Sequence, residues 1–101
     1  MKYKLFKKFI ERILEHMEIN HADLFEKSRK KSVVEARQLL YYLCTKRGMR
    51  PTEIKDYMSR EGHSLEHTTI LHGIKEITST IENDKDFELI ANSIMQEEIE
   101  V

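Results

Sequence analysis

Ile70, Ile74, Ile77 and Ile81 recur at steps of four, three and four, with Leu71 beside the first of them. That spacing lays one apolar stripe along a helix, and the stripe requires a core to face. Just ahead of it, Glu66-His67-Thr68-Thr69 is polar, so the helix carries a polar head on an anchored body. Such a head suits reading a surface, and the major groove of DNA admits a helix of this kind. Polar residues also open ordinary helices for capping reasons, so this stretch alone carries either reading.

The same periodicity recurs along the chain, and one proline and three glycines interrupt it rarely. The 101 residues are the length of one domain with a modest core. The expectation is a single all-α domain over 1–101, with five to six helices, a core region over 9–82 and an added acidic helix over 86–99. The spacing predicts a first helix over 4–18, with Phe6, Phe9 or Ile10, Ile13, Leu14 and Met17 inward. Asn20 is a candidate cap for a short turn through Glu26. Lys27-Ser28-Arg29-Lys30-Lys31 has nothing to bury and reads as a loop. Ser32-Val33-Val34-Glu35 has the form of a capping box, which predicts a helix over 33–46 ended by Gly48. Val33, Ala36, Leu40, Leu43 and Cys44 form its apolar side.

Pro51 fits a first helical position ahead of a short helix that turns Ile54, Tyr57 and Met58 inward. A turn over 59–65 follows, with Ser64 expected to cap the helix of the opening stretch. Short helix, turn, longer helix is the helix-turn-helix arrangement, although this turn is longer than usual. Asn83-Asp84 breaks the pattern and offers a cap for the last helix, whose stripe is Phe87, Ile90, Ala91, Ile94 and Met95.

Several function classes are excluded. Cys44 is the one cysteine, so no disulfide forms within the chain, and its apolar neighbours mark it as a small buried hydrophobe. No apolar run approaches the roughly 18 residues of a membrane span, and charges interrupt Met1-Lys2-Tyr3-Lys4-Leu5-Phe6-Lys7-Lys8 where a signal peptide needs apolar residues. A cytoplasmic location is expected. His63 and His67 with Glu66 are the nearest approach to a metal set, but nothing completes it, and no nucleophile, base and orienting acid are grouped. No metal, no cofactor and no enzyme activity are therefore expected. The three glycines fit no phosphate-binding loop, so no nucleotide partner is expected. The net charge of −1 is sorted along the chain: residues 76–101 hold eight acids against Lys85, a net of −7, which leaves +6 on residues 1–75. A polyanion partner for the first part is thus compatible with a near-neutral total.

Three motifs in order now carry a family resemblance. They are Ile19-Asn20-His21-Ala22-Asp23-Leu24 with Lys27, Arg29, Ser32-Val33 and Ala36-Arg37-Gln38; then Thr52-Glu53-Ile54; then Glu66-His67-Thr68-Thr69-Ile70-Leu71-His72. Over 9–77 the chain resembles the C-terminal DNA-binding domain of the bacterial replication initiator DnaA, a Trp-repressor-like helix-turn-helix. The resemblance implies double-stranded DNA as partner. It implies base contacts by His67, Thr68 and Thr69 in the major groove, with Glu66 at the family's Asp position accepting from cytosine. It implies that Arg29 enters the minor groove, flanked by Lys27 and Lys31, and that Arg37, Gln38, Pro51, Thr52 and His72 contact the backbone. Elementary chemistry agrees: threonine suits a thymine methyl and a base acceptor, and an arginine on a loop suits a narrow minor groove.

The chain departs from the pattern in places. Extra residues stand between Met58 and Glu66, Leu65 replaces an arginine, Glu66 replaces Asp, and Glu76 stands where the family is usually basic. The reading is a stand-alone, sequence-specific duplex-DNA-binding domain acting in replication or transcription control of a bacterium, phage or mobile element. The alternative is a helical protein-interaction module that kept the fold and lost DNA affinity. The last helix is a candidate surface for a protein partner or self-association.

Overall fold

The structure is a computed structural model that describes residues 2–99. Among them are six α-helices and no strand: α1 (Lys2–Met17), α2 (His21–Phe25), α3 (Lys31–Lys46), α4 (Pro51–Arg60), α5 (His67–Asn83) and α6 (Lys85–Ile99). The all-α class holds, and α4 with α5 forms the helix-turn-helix.

α3 is the hub, packed by each of the other five helices. Val33, Ala36, Leu39, Leu40, Tyr41, Leu43 and Cys44 are all buried. That is more than one face, which fits a helix surrounded by others. α1 buries both Phe9 and Ile10, together with Phe6 and Ile13. α6 lays Phe87, Ala91 and Ile94 into the same core, packing on α1 and α5. Its seam with α1 is closed by Glu97, whose carboxylate lies 3.2 Å from Arg12 and 3.3 Å from His16. The apolar stripe of α6 is thus taken up internally, and Leu89 is what remains exposed. No helix among the described residues is long and apolar enough to cross a membrane.

The helix ends correct two expectations. Ser32 does not cap α3. The helix starts at Lys31 with Lys30 at the cap position and no side-chain cap, and Val33 and Val34 both donate to the Lys30 carbonyl. Ser28 meets the chain earlier, its Oγ accepting from the Lys30 N–H at 3.2 Å. Nor does Ser64 cap α5, since Glu66 holds that position in extended backbone without a side-chain bond. Asn20 caps α2 as expected, accepting from the Asp23 N–H, and Asp84 accepts from the Asp86 and Phe87 N–H groups at the start of α6.

α3 and α4 end alike. Gly48 and Gly62 adopt φ of +85° and +88°. The glycine N–H bonds two residues inside the cap, to Thr45 O or Ser59 O, and the following residue, Met49 or His63, bonds to Cys44 O or Met58 O. This double closure folds the residue after the glycine back onto the helix. Both are buried, Met49 at 3% and His63 at 7% exposure. α4 therefore runs to Arg60, beyond the expected limit, and the extra residues ahead of Glu66 form a closed helix end and not a slack loop.

Candidate nucleic-acid interface

The head of α5 projects because its body is clamped. Ile70 and Ile77 are fully buried, whereas Glu66, His67, Thr68 and Thr69 are exposed. Gly73 allows the close approach to α3: a Cβ there would stand 3.1 Å from the Tyr41 ring and 3.2 Å from Gln38 Cγ. Glu66 reaches out with Lys55 4.0 Å away, and exposed His72 lies 3.8 Å from Glu76 one turn on. Leu71, beside the core stripe in sequence, is 48% exposed on this same outer side.

The basic loop is built differently. Lys27, Arg29 and Lys30 point to water, and Lys31 is exposed at the first position of α3, not in the loop. Arg37, expected among backbone-contacting residues, turns inward. It is 8% exposed, and its guanidinium donates to Leu24 O at 3.0 Å, Glu26 O at 2.7 Å and Ser28 O at 2.6 Å. A planar five-donor group is suited to gathering several carbonyls at once. Burial lowers its pKa from the ordinary arginine value, a cost that the three carbonyls offset.

Loop and helix face each other across a cleft of about 640 Å³. Lys27, Ser28 and Arg29 of the loop, Gln38 and Tyr41 of α3, Ser64 of the turn, and Thr69 and His72 of α5 line it. The cleft thus brings together six of the expected contact residues: Lys27, Arg29, Arg37, Gln38, Thr69 and His72. Outside its lining stand Glu66, His67 and Thr68 on the α5 head, Lys31 at the start of α3, and Pro51 and Thr52 at the start of α4. Tyr41 is part of the packing, its phenol pushed up to about 12 by burial. Tyr42 is half-buried beneath the Lys46 ammonium, 5.2 Å from its ring centroid. The buried Tyr41 ring is not free to stack on a base.

Among the described residues no three His, Cys, Asp or Glu side chains gather as a metal set. Burial pushes the Cys44 thiol well above its ordinary range. His63, paired with His67 on sequence spacing, is instead buried with Nδ1 2.9 Å from Phe25 O. Its place at the cleft was missed from sequence. The signal was Gly62 ahead of it, the same glycine-then-buried-residue pattern as Gly48-Met49.

Residues 6–77 match the family model described as bacterial dnaA protein helix-turn-helix. The chromosomal replication initiator protein DnaA of Campylobacter curvus is 35% identical over 83 residues, covering 79% of this chain and 18% of that protein. The protein of the same name from Lachnoclostridium phytofermentans is 29% identical over 80 residues, covering 78% of this chain and 17% of its own length. The chain thus spans less than a fifth of the length of these relatives. No solved structure matches.

Proposed function

We propose, for a chain that belongs to the bacterial DnaA helix-turn-helix family and is a DNA-binding domain of that type, that it reads duplex DNA by sequence in two grooves at once. The cleft between the basic loop and the head of α5 carries the proposal. A sugar–phosphate ridge separates the minor groove from the major groove, and a cleft with one reader on each side suits such a ridge. Arg29 takes the minor groove. Glu66, His67, Thr68 and Thr69 take the major groove, where a carboxylate accepts from cytosine and threonine meets a thymine methyl or a base acceptor. Lys27, Gln38 and His72 face the phosphates of the ridge, and Lys31, Pro51 and Thr52 those beyond it. Arg37 acts indirectly, by holding the loop. The relatives' names as replication initiators direct the biological proposal to replication or transcription control, with the initiator box as the first duplex to test.

Titration of a labelled initiator-box duplex and a mixed-sequence duplex, at low and moderate salt, tests the proposal. Binding that falls with salt and favours one sequence is expected, because counterion release supplies affinity and base contacts supply selectivity. Absence of binding at low salt would reject it and leave the fold as a protein-interaction module. A selection from random duplexes then defines the preferred site. Thr68→Ala is expected to cost roughly 1–3 kcal/mol on that site and little on random DNA. Equal losses on both would remove Thr68 from base reading.

A further inference from the structure

The turn ahead of α5 is tied down on two sides. Glu61, at the end of α4, accepts a 2.6 Å bond from the Tyr3 hydroxyl through Oε2, and its Oε1 lies 3.4 Å from His21 Nε2. Two residues on, His63 is 7% exposed with Nδ1 2.9 Å from Phe25 O. A carbonyl only accepts, so Nδ1 carries the proton and donates. Phe25 is the last residue of α2, with the cap residue Glu26 between it and the basic loop. Arg37 holds the carbonyls of Leu24, Glu26 and Ser28, so His63 supplies the grip at Phe25 between them. The two grips differ in origin. Arg37 stands on the central helix, whereas His63 stands three residues before Glu66, at the root of the α5 head.

We infer that His63 is a positioning residue that locks the basic loop to the root of the recognition helix, so that Arg29 and the Glu66–Thr69 head reach their two grooves in one register. The inference rests on the two-groove reading above. Phosphate contacts tolerate a loop that wanders, since every stretch of duplex offers phosphates. Simultaneous base reading by two elements does not, because each must be within hydrogen-bond reach while the other is engaged. Loss of the His63 bond therefore falls on discrimination between sequences and leaves general affinity in place.

His63→Leu keeps an apolar group of similar bulk and removes the donor. His63→Asn keeps an amide N–H close to where Nδ1 stands. Each is compared with wild type on the duplex selected by the wild-type protein and on random duplex, and amide hydrogen exchange at Ser28, Arg29 and Lys30 is followed without DNA. His63→Leu is expected to lower the selected-to-random affinity ratio about two- to tenfold, the range of one net hydrogen bond. It also speeds exchange at the three amides and leaves the salt slope unchanged, and His63→Asn restores ratio and exchange. A His63→Leu protein with wild-type ratio and exchange overturns the inference, as does equal weakening on both duplexes. The ring ¹⁵N shifts of the wild type need no variant to fold, and a proton found on Nε2 alone also overturns it. If the wild type binds no duplex, the two-groove reading fails and takes this inference with it. If the wild type discriminates and His63→Leu discriminates equally well, this inference alone fails.

Discussion

The head of α5 and the basic loop face each other across one cleft, yet opposite means hold them in place. The head is rigid because of what lies behind it: Ile70, Ile77 and Ile81 are in the core and Gly73 lies against Tyr41. The loop has no apolar residue to bury. It is ordered through its Ser28 carbonyl and those of Leu24, Phe25 and Glu26 just ahead of it, held by the Arg37 guanidinium and the His63 imidazole, with Ser28 Oγ closing onto the Lys30 N–H. Burial is non-directional and shared among many contacts, so it weakens in small steps. Directional bonds to a buried donor concentrate in one side chain, and removing that donor leaves several acceptors unpaired. The loop is therefore the part that a single substitution can release.

Arg37→Leu tests this most severely. It removes a donor to three carbonyls and leaves the buried Leu24 carbonyl without this partner. A loss of about 3 kcal/mol in urea unfolding is expected, the size of a broken buried charged network. Exchange at residues 27–30 should rise while the first turn of α5 stays protected. Arg37→Lys should recover little, because one ammonium cannot span three carbonyls in the guanidinium's fork. A loss below 1 kcal/mol would mean that the loop is ordered by something other than Arg37. The matching insult on the other side is Gly73→Leu. The close approach to Tyr41 and Gln38 leaves no room for it, and Tyr41 is only 3% exposed. Roughly 1–3 kcal/mol should be lost through overpacking. Here the exchange of the α5 head should rise and that of the loop should not. Identical exchange patterns in the two variants would erase the distinction between the regions.

What was legible in the sequence follows the same division. The stripe of Ile70, Ile74, Ile77 and Ile81 is local information, and α5 lies where that periodicity puts it. The loop's lack of structure was equally legible, from its lack of anything to bury. What holds it was not. Arg37 on a helix near a lysine-rich loop looks the same in sequence whether it faces a phosphate or a carbonyl. Only the fold of residues 24–28 against α3 decides, and that is tertiary. Ser32 and Ser64 each had a plausible local capping role, but backbone bonds to the Lys30 carbonyl start α3 ahead of Ser32, and Glu66 takes the cap position of α5. His63 and His67 share helical spacing, but Gly62 closes α4 and folds His63 back onto it. Met49 after Gly48 shows that the same closure buries an ordinary hydrophobe elsewhere in the chain.

A smaller effect separates the loop's charges from its backbone. Lys31 is exposed at the first position of α3, so Lys31→Ala should leave stability and loop exchange unchanged. Its effect should appear in DNA binding alone, as a decrease of about 0.9 in the slope of log affinity against log salt, shared by all sequences. An unchanged slope would remove Lys31 from the phosphate contacts. A loss confined to one sequence would make it a base reader instead.

The smallest effect comes from protons. His63 has its pKa lowered from the ordinary histidine value, chiefly because burial penalises the imidazolium. The Phe25 carbonyl opposes that shift, and Arg37 and Lys27 reinforce it. The unfolded chain therefore binds this proton at a higher pH than the folded one does. The contribution of neutral His63 to stability is complete above about pH 6.5 and is lost as pH falls through and below that value. Asn does not titrate in this range, so the stability of wild type minus that of His63→Asn should shrink from pH 7 to pH 5. The other histidines are present in both proteins and cancel to first order. Acidification would also set a third positive charge beside Arg37 and Lys27 where the loop is held, so loop amides should exchange faster than the first turn of α5 in wild type only. A pH-independent difference between the two proteins would mean that the buried ring does not resist protonation, and the loop's restraint would then rest on Arg37 alone.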